Sequence, residues 1–234
     1  MATTPLRARV LVGLLLAATA CKPSSDTNAR PAGTQAGETN ATSAAPSGDS
    51  ALVARADSGR IKGSPSAPIW IIEVSDFQCP YCKMWHDSTY PALLREYVET
   101  GKARLAYLNF PLGNHQHAVP AAEAAMCASA QGKFWEMHSA IFRTQERWAP
   151  LPDARPVFDS LATAVGVGLP AWRQCMSTHA TLPLVEADRD RGMAAGVRST
   201  PSFLIGNEGL AGAQPIGAFR EAIERALRAA PAPR

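Results

Sequence analysis

An apolar, β-branched run, Ile69-Trp70-Ile71-Ile72-Glu73-Val74, is followed a few residues later by Cys79-Pro80-Tyr81-Cys82, and this juncture constrains the fold more than any other stretch. The run has the composition of a central strand buried on both faces. Pro80 suits the first position of a helix, where its missing N–H would have had no partner. The sequence therefore predicts a strand that hands over to a helix N-terminus with Cys79 at the junction. Unpaired backbone N–H groups and the positive end of the helix dipole stabilise a thiolate there, lowering its pKa to about 3.5–7.5. Cys82, one turn into the helix, is shielded and should keep a higher pKa. Glu73, the carboxylate within the run, is expected either at a solvent-filled edge or buried with a raised pKa.

The pattern continues as an α/β frame. A helix is predicted over Pro80 to Tyr90, kinked or restarted at Pro91, and ended by Gly101. A second strand, Ala103 to Phe110, then completes a βαβ unit with parallel strands. From about residue 115 to 193 the periodicity is helical, with segments at Ala118 to Ala130, Phe134 to Arg143, Val157 to Val165, Ala171 to Met176 and Leu184 to Ala195. The frame resumes with a strand at Ser202 to Ile205, a turn at Gly206-Asn207, a short strand at Leu210 to Ala213, and a helix at Ile216 to Ala229.

A Cys-x-x-Cys pair also suits half of a zinc site, or a plain disulfide. A zinc site needs two more ligands. The candidates, Cys127, Cys175 and the His115-x-His117 pair, lack the expected knuckle spacing, so no metal is expected and a non-catalytic metal-binding module is the weaker alternative. The stretch Glu73-Val74-Ser75-Asp76-Phe77-Gln78-Cys79-Pro80-Tyr81-Cys82, with Gly132-Lys133-Phe134-Trp135 and Gly196-Val197-Arg198-Ser199-Thr200-Pro201-Ser202-Phe203, resembles the DsbA-like branch of the thioredoxin superfamily. The resemblance implies a thioredoxin fold with an inserted helical domain and thiol-disulfide exchange. It further implies a cis peptide before Pro201, beside the cysteines, where Thr200 would offer its backbone to an extended substrate and its hydroxyl to the Cys79 sulfur. Glu73 matches the buried carboxylate that the family places under the second cysteine, where it would move protons to and from Cys82. Pro80-Tyr81 stands where strongly oxidising members carry Pro-His, and Thr200 where they carry Val. Oxidation of substrates is the expected direction, with reduction or isomerisation as the alternative. The redox-active Cys79–Cys82 pair is the expected agent, and no other cofactor is called for.

The remaining features concern where this chemistry takes place. Arg7 and Arg9 precede an apolar run from Val10 to Ala20, which is too short to span a bilayer as a permanent helix and reads as a signal peptide over residues 1–20. Ala18-Thr19-Ala20-Cys21 resembles a bacterial lipobox, so Cys21 is expected to carry lipid; simple secretion is the alternative. Residues 21–58, rich in Ser, Thr, Ala, Gly, Pro and Asn, read as a disordered tether, and the folded domain is expected over 59–230. Export supplies an oxidising compartment, periplasmic or at the cell envelope. Of five cysteines, Cys127 and Cys175 are left over and are expected to form a structural disulfide worth roughly 4 kcal/mol, rather than two buried thiols. His86 is read as a solvent-exposed helix residue, and Asp188-Arg189-Asp190-Arg191 as a solvated helix face. The net charge of +3 is too mild for nucleic acid. The expected partners are exported proteins with thiols or disulfides and a membrane redox protein that recycles the pair; no dimerisation domain is legible, and a monomer is expected.

Overall fold

The chain is described here by a computed structural model covering residues 48–230. The β-branched run forms β2 (Ile69–Ser75), at the centre of a five-stranded sheet in the order β1-β3-β2-β4-β5. Its neighbours are β1 (Ile61–Lys62), β3 (Ala103–Asn109), β4 (Ser202–Ile205) and β5 (Glu208–Ala211). β2 and β3 are parallel, and the other pairings are antiparallel. The crossover between the parallel strands is α2 (Pro80–Ser88) followed by α3 (Tyr90–Leu93), which continues into a π-helical turn, Leu94–Val98. Pro91 restarts the helix: it sits in the first turn of α3, where its lack of an N–H is harmless.

The pleat of β2 places Ile69, Ile71 and Glu73 on one face, in register with Leu105 and Tyr107 of β3 and with Phe203 and Ile205 of β4. Trp85, Tyr90, Leu93 and Tyr97 from the crossover, with Phe219, Ala222 and Ile223 of α10 (Ile216–Ala229), pack with Ile69, Ile71, Leu105, Phe203 and Ile205 into one core. Burial of β2 on both faces does not hold along its whole length, because Trp70 and Leu204 are exposed on the opposite face. Cover on that side comes at the other end of the strand. There α9 (Leu182–Ala194) approaches so closely that a Cβ at Gly192 would lie 2.6 Å from the Phe110 ring and 3.7 Å from Val74.

Between β3 and β4 the chain is helical. It comprises α4 (Ala118–Ser129), α5 (Phe134–Arg143), α6 (Gln145–Trp148), α7 (Arg155–Ala164), α8 (Leu169–Ser177) and α9. The alanines of α4 let its neighbours approach, and Met126, Phe134, Phe142, Trp148, Phe158 and Trp172 fill a second core. Phe77, Cys79, Cys82 and Tyr107 belong to this core, so the cysteine pair faces the insert. Trp135 packs against both cores. Cys127 and Cys175 are bonded across α4 and α8, with Cα atoms 5.8 Å apart.

Three readings need correction. The folded part begins before residue 59: α1 (Gly48–Gly59) occupies the end of the segment read as tether. Ala56 is fully buried, its carbonyl accepts from Ser129 Oγ at 2.6 Å, and Arg55 Nε donates to the Ala130 carbonyl at 3.2 Å. The run Asp188 to Arg191 is not wholly solvated, since Asp188 is buried and pairs with Arg60 while accepting from Asn109 Nδ2 at 2.9 Å. Two buried charges are tolerable when each finds the other together with further hydrogen bonds. The last short strand is Glu208–Ala211, closer to the turn than Leu210 to Ala213, because its antiparallel register with β4 starts beside Gly206-Asn207. The signal peptide, Cys21 and most of the tether lie outside the described residues.

Candidate active site

β2 ends at Ser75, and the next four residues form the loop that carries Cys79 to the start of α2. Cys79 is the N-cap of α2, with φ −70° and ψ 123°, and its amide donates to the Asp76 carbonyl at 3.1 Å. Pro80 opens the helix, as its chemistry predicts. The loop is fixed from the side by Asp76, a buried carboxylate. Its Oδ1 accepts from the Gln78 amide at 2.7 Å, and its Oδ2 from the Leu112 amide at 2.9 Å and pairs with His115 Nδ1 at 2.7 Å.

The two sulfurs occupy unlike environments. Cys79 is 3% exposed, beside Tyr81 at 62%. The hydrogen bond from the Cys82 thiol lowers the Cys79 pKa most; burial opposes it, and the Thr200 hydroxyl and the Cys82 and Tyr81 amides lower it further, to about 6. These amides are donors that a helix N-terminus leaves free. Cys82 is fully buried, and burial together with the neighbouring Cys79 thiolate pushes its pKa well up. The Asp76 amide donates to Cys82 Sγ at 3.5 Å. At helix α2 the same element thus supports a thiolate at its first cysteine and a thiol at its second.

Thr200 and Pro201 close one side of the site. Their peptide is cis, and the Thr200 carbonyl lies 3.5 Å from Cys79 Sγ. The Thr200 hydroxyl is buried and has no hydrogen-bond partner among the described residues, leaving it available to a Cys79 thiolate. Glu73 lies on β2, flanked in register by Tyr107 and Phe203. It is buried, and neither carboxylate oxygen has a hydrogen-bond partner among the described residues. Burial pushes its pKa up to about 8, with the Ser75 hydroxyl, short of a geometric hydrogen bond, opposing. The Tyr107 hydroxyl, equally unpartnered, is held far from ionisation by burial and by the charges of Glu73 and Cys82.

His86 is buried, contrary to the exposed position read from the helix pattern. Its ring stacks on Tyr90 and on Phe142 of the insert, and its Nδ1 lies 2.9 Å from Asp87 Oδ1; burial lowers its pKa. Phe142 belongs to α5, which covers this side of α2. His138 is fully buried among Phe77, Tyr107, Phe134 and Phe142, and burial holds it neutral. Gln145, which carried no signal in the sequence, reaches the active-site loop. The ligands a zinc-type site would need are not brought to Cys79 and Cys82: Cys127 and Cys175 are bonded to each other, and His115 is engaged by Asp76. A groove of about 780 Å³ on the insert, lined by His117, Glu123, Trp172 and His179, includes neither Cys79 nor Cys82.

Comparison with known proteins agrees with this arrangement. A family model described as Thioredoxin matches residues 55–225. The chain is 29% identical over 175 residues to the Na(+)/H(+) antiporter NhaA 3 of Salinispora tropica, an alignment covering 74% of this chain but only 26% of that protein. It is 27% identical over 176 residues to the Probable disulfide bond formation protein D of Bacillus anthracis, covering 71% of this chain and 77% of that one. Among solved structures, oxidised BdbD from Bacillus subtilis superposes with a TM-score of 0.67 at 19% identity, over 73% of this chain and 94% of that chain. Among the described residues, no helix is long and apolar enough to cross a membrane.

Proposed function

The chain belongs to the thioredoxin family, and we propose that it is a thiol:disulfide oxidoreductase that forms disulfides in exported proteins through Cys79 and Cys82. The observation that carries this reading is the placing of Cys79 at the N-cap of α2, its sulfur 3.5 Å from the Thr200 carbonyl beside the cis peptide, with Cys82 fully buried one turn on; the acidities follow, Cys79 down to about 6 and Cys82 up. In the oxidised enzyme a substrate thiolate attacks Cys79 Sγ, the Cys79–Cys82 bond breaks, and Cys82 departs as a thiolate. Because its thiol is the favoured form, Cys82 takes a proton, and we assign its supply to Glu73, a buried carboxyl on β2 whose pKa burial raises to about 8. A second substrate thiolate then attacks the substrate sulfur of the mixed disulfide and expels Cys79 as a thiolate. Two substrate thiols are thereby oxidised to one disulfide and the enzyme is left as the dithiol.

The better the Cys79 thiolate is held, the better it leaves and the more oxidising the pair. Thr200 and Pro201 would receive an extended substrate segment beside Cys79, and a membrane redox protein would restore the disulfide. Export by the N-terminal signal and a lipid anchor at Cys21 would place the enzyme in the cell envelope. A reductase or isomerase role is the second reading. It is favoured by Pro80-Tyr81 between the cysteines and Thr200 before Pro201, which stand where strongly oxidising members carry Pro-His and Val.

Two measurements test the proposal. Cys82→Ala should accumulate substrates as mixed disulfides on Cys79, resolved by reductant on a gel; absence of such adducts would sink the exchange mechanism. The reduction potential, measured against glutathione, should fall nearer about −120 mV than about −270 mV. A value at the lower end, with the pair found reduced in cells, would replace the oxidase by the reductase.

A further inference from the structure

The loop that presents Cys79 is held by a residue far along the chain. Gln145 opens α6 in the insert and is buried. Its Nε2 donates to the Phe77 carbonyl at 2.7 Å and to the Cys79 carbonyl at 3.0 Å. A primary amide has two N–H bonds, and both are used on carbonyls one residue to either side of Gln78. Gln78 returns the contact, donating from Nε2 to the Ala149 carbonyl at 3.4 Å and accepting from the His117 amide at 2.7 Å. Gln145 is in turn fixed within its own helix: the Ala149 amide donates to its carbonyl at 2.8 Å, while Trp148 Nε1 ties α6 to the Ile141 carbonyl at 2.9 Å.

Those two carbonyls are the negative ends of peptide dipoles in the segment that must carry a thiolate. The Cys79 carbonyl also accepts from the Lys83 amide at 3.2 Å, so Gln145 adds a second donor there and a donor to the Phe77 carbonyl; without it the loop would be held from outside by Asp76 and Gln78 alone, and the Phe77 carbonyl would be free to rotate. We propose that Gln145 is the positioning residue through which the helical insert locks the Phe77–Cys79 loop so that the Tyr81 and Cys82 amides face the Cys79 sulfur. The inference rests on Cys79 being the nucleophile. It assigns the insert a part in setting the redox poise of the pair, beyond covering it. Replacing the amide by a carboxylate would turn a double donor into an acceptor beside two carbonyls, and replacing it by a thioether would keep the volume and remove both donors.

The test is the pH titration of the Cys79 thiolate by its ultraviolet absorbance in the reduced protein, with the thiol–disulfide equilibrium against glutathione and the urea unfolding midpoint measured in parallel. Lys83, Asp87 and Glu146, linked across the same α2–α6 edge, are left in place. For Gln145→Met the titration midpoint should rise by about one unit, a roughly tenfold loss of thiolate at pH well below the original midpoint, and the equilibrium should move towards the disulfide's reducing end by a similar factor. Gln145→Glu should shift further, and its shift should shrink as pH falls and the introduced carboxyl gains a proton to donate. Gln145→Asn, one methylene shorter, should give a smaller rise and carries the test should the Met variant fail to fold. Loss of stability with an unchanged midpoint and equilibrium would overturn the proposal, reducing Gln145 to a filler of two buried carbonyls. A wild-type protein without a low-pH, Cys79-dependent titration would instead overturn the reading of Cys79 as the activated nucleophile, so the two failures are distinct.

Discussion

Cys79 sits at the N-terminus of α2, whereas Cys127 and Cys175 lie in the last turns of α4 and α8. All of them, with Cys82, belong to the same buried cluster, so burial does not separate the two pairs. What differs is the end of the helix that each sulfur meets. At an N-terminus the backbone offers N–H groups and partial positive charge; at a C-terminus it offers carbonyls and partial negative charge. The first environment favours a thiolate that can attack and leave, and the second disfavours one, so a bond formed between Cys127 and Cys175 has little tendency to reopen. Under the proposed function, one chain uses the same side chain for exchange and for a permanent link by choosing the helix end.

The comparison can be broken from the permanent side first. Cys127→Ala with Cys175→Ala opens a link between residues 48 apart and should cost roughly 4 kcal/mol of stability, read from urea unfolding. If the pairs are independent, the Cys79 titration should be unchanged; a shifted midpoint would show that the link also shapes the site. Next in size is Glu73→Gln. A buried carboxyl whose pKa is raised from 4.5 to about 8 contributes full stability below pH 4.5, and that contribution is lost as pH rises towards 8. At roughly 1.4 kcal/mol per unit, the neutral variant should be more stable than the wild type by on the order of 3 kcal/mol at pH 7, with no gain at pH 4. It should also slow exchange steps in which Cys82 gains or loses its proton. A pH-independent difference would show that Glu73 is already ionised in the folded protein. The smallest change sharpens the exchange side alone. Tyr81 is exposed, so Tyr81→His should leave stability unaltered and lower the Cys79 midpoint by less than one unit, and only where the imidazole is protonated, since a single exposed charge is worth about 1 kcal/mol or less.

Local chemistry made much of this legible in the sequence. β-branched Ile69 to Val74, Pro80 at the first helical position, and Phe219, Ile223 and Leu227 at helical spacing each announce their element without help from the rest of the chain. The junction at Cys79 follows from the first two. What stayed hidden depends on partners distant in sequence. Asp188 looks solvated among alternating charges, and only its encounter with Arg60, 128 residues away, buries it. His86 looks exposed until Phe142 of the insert lies against it. β1, at two residues, is too short to show a period and exists because β3 offers it an edge. Gln145 is one polar residue in a polar stretch, and no spacing rule connects it to a loop whose carbonyls it serves across the fold.

Helix α1 has a practical consequence for anyone dividing this chain. A fragment starting at residue 60, one residue past the boundary that composition alone would draw, would strip the cover from the alanine-rich side of α4 and leave the Ser129 hydroxyl without the Ala56 carbonyl. Gly59 would go as well, and it sits so near Ser129 that even a methyl group would lie 2.5 Å from the hydroxyl oxygen. Such a fragment would carry both cysteine pairs intact yet expose a flat apolar strip beside one of them, inviting self-association during purification. A fragment that keeps the whole of α1 starts no later than Gly48.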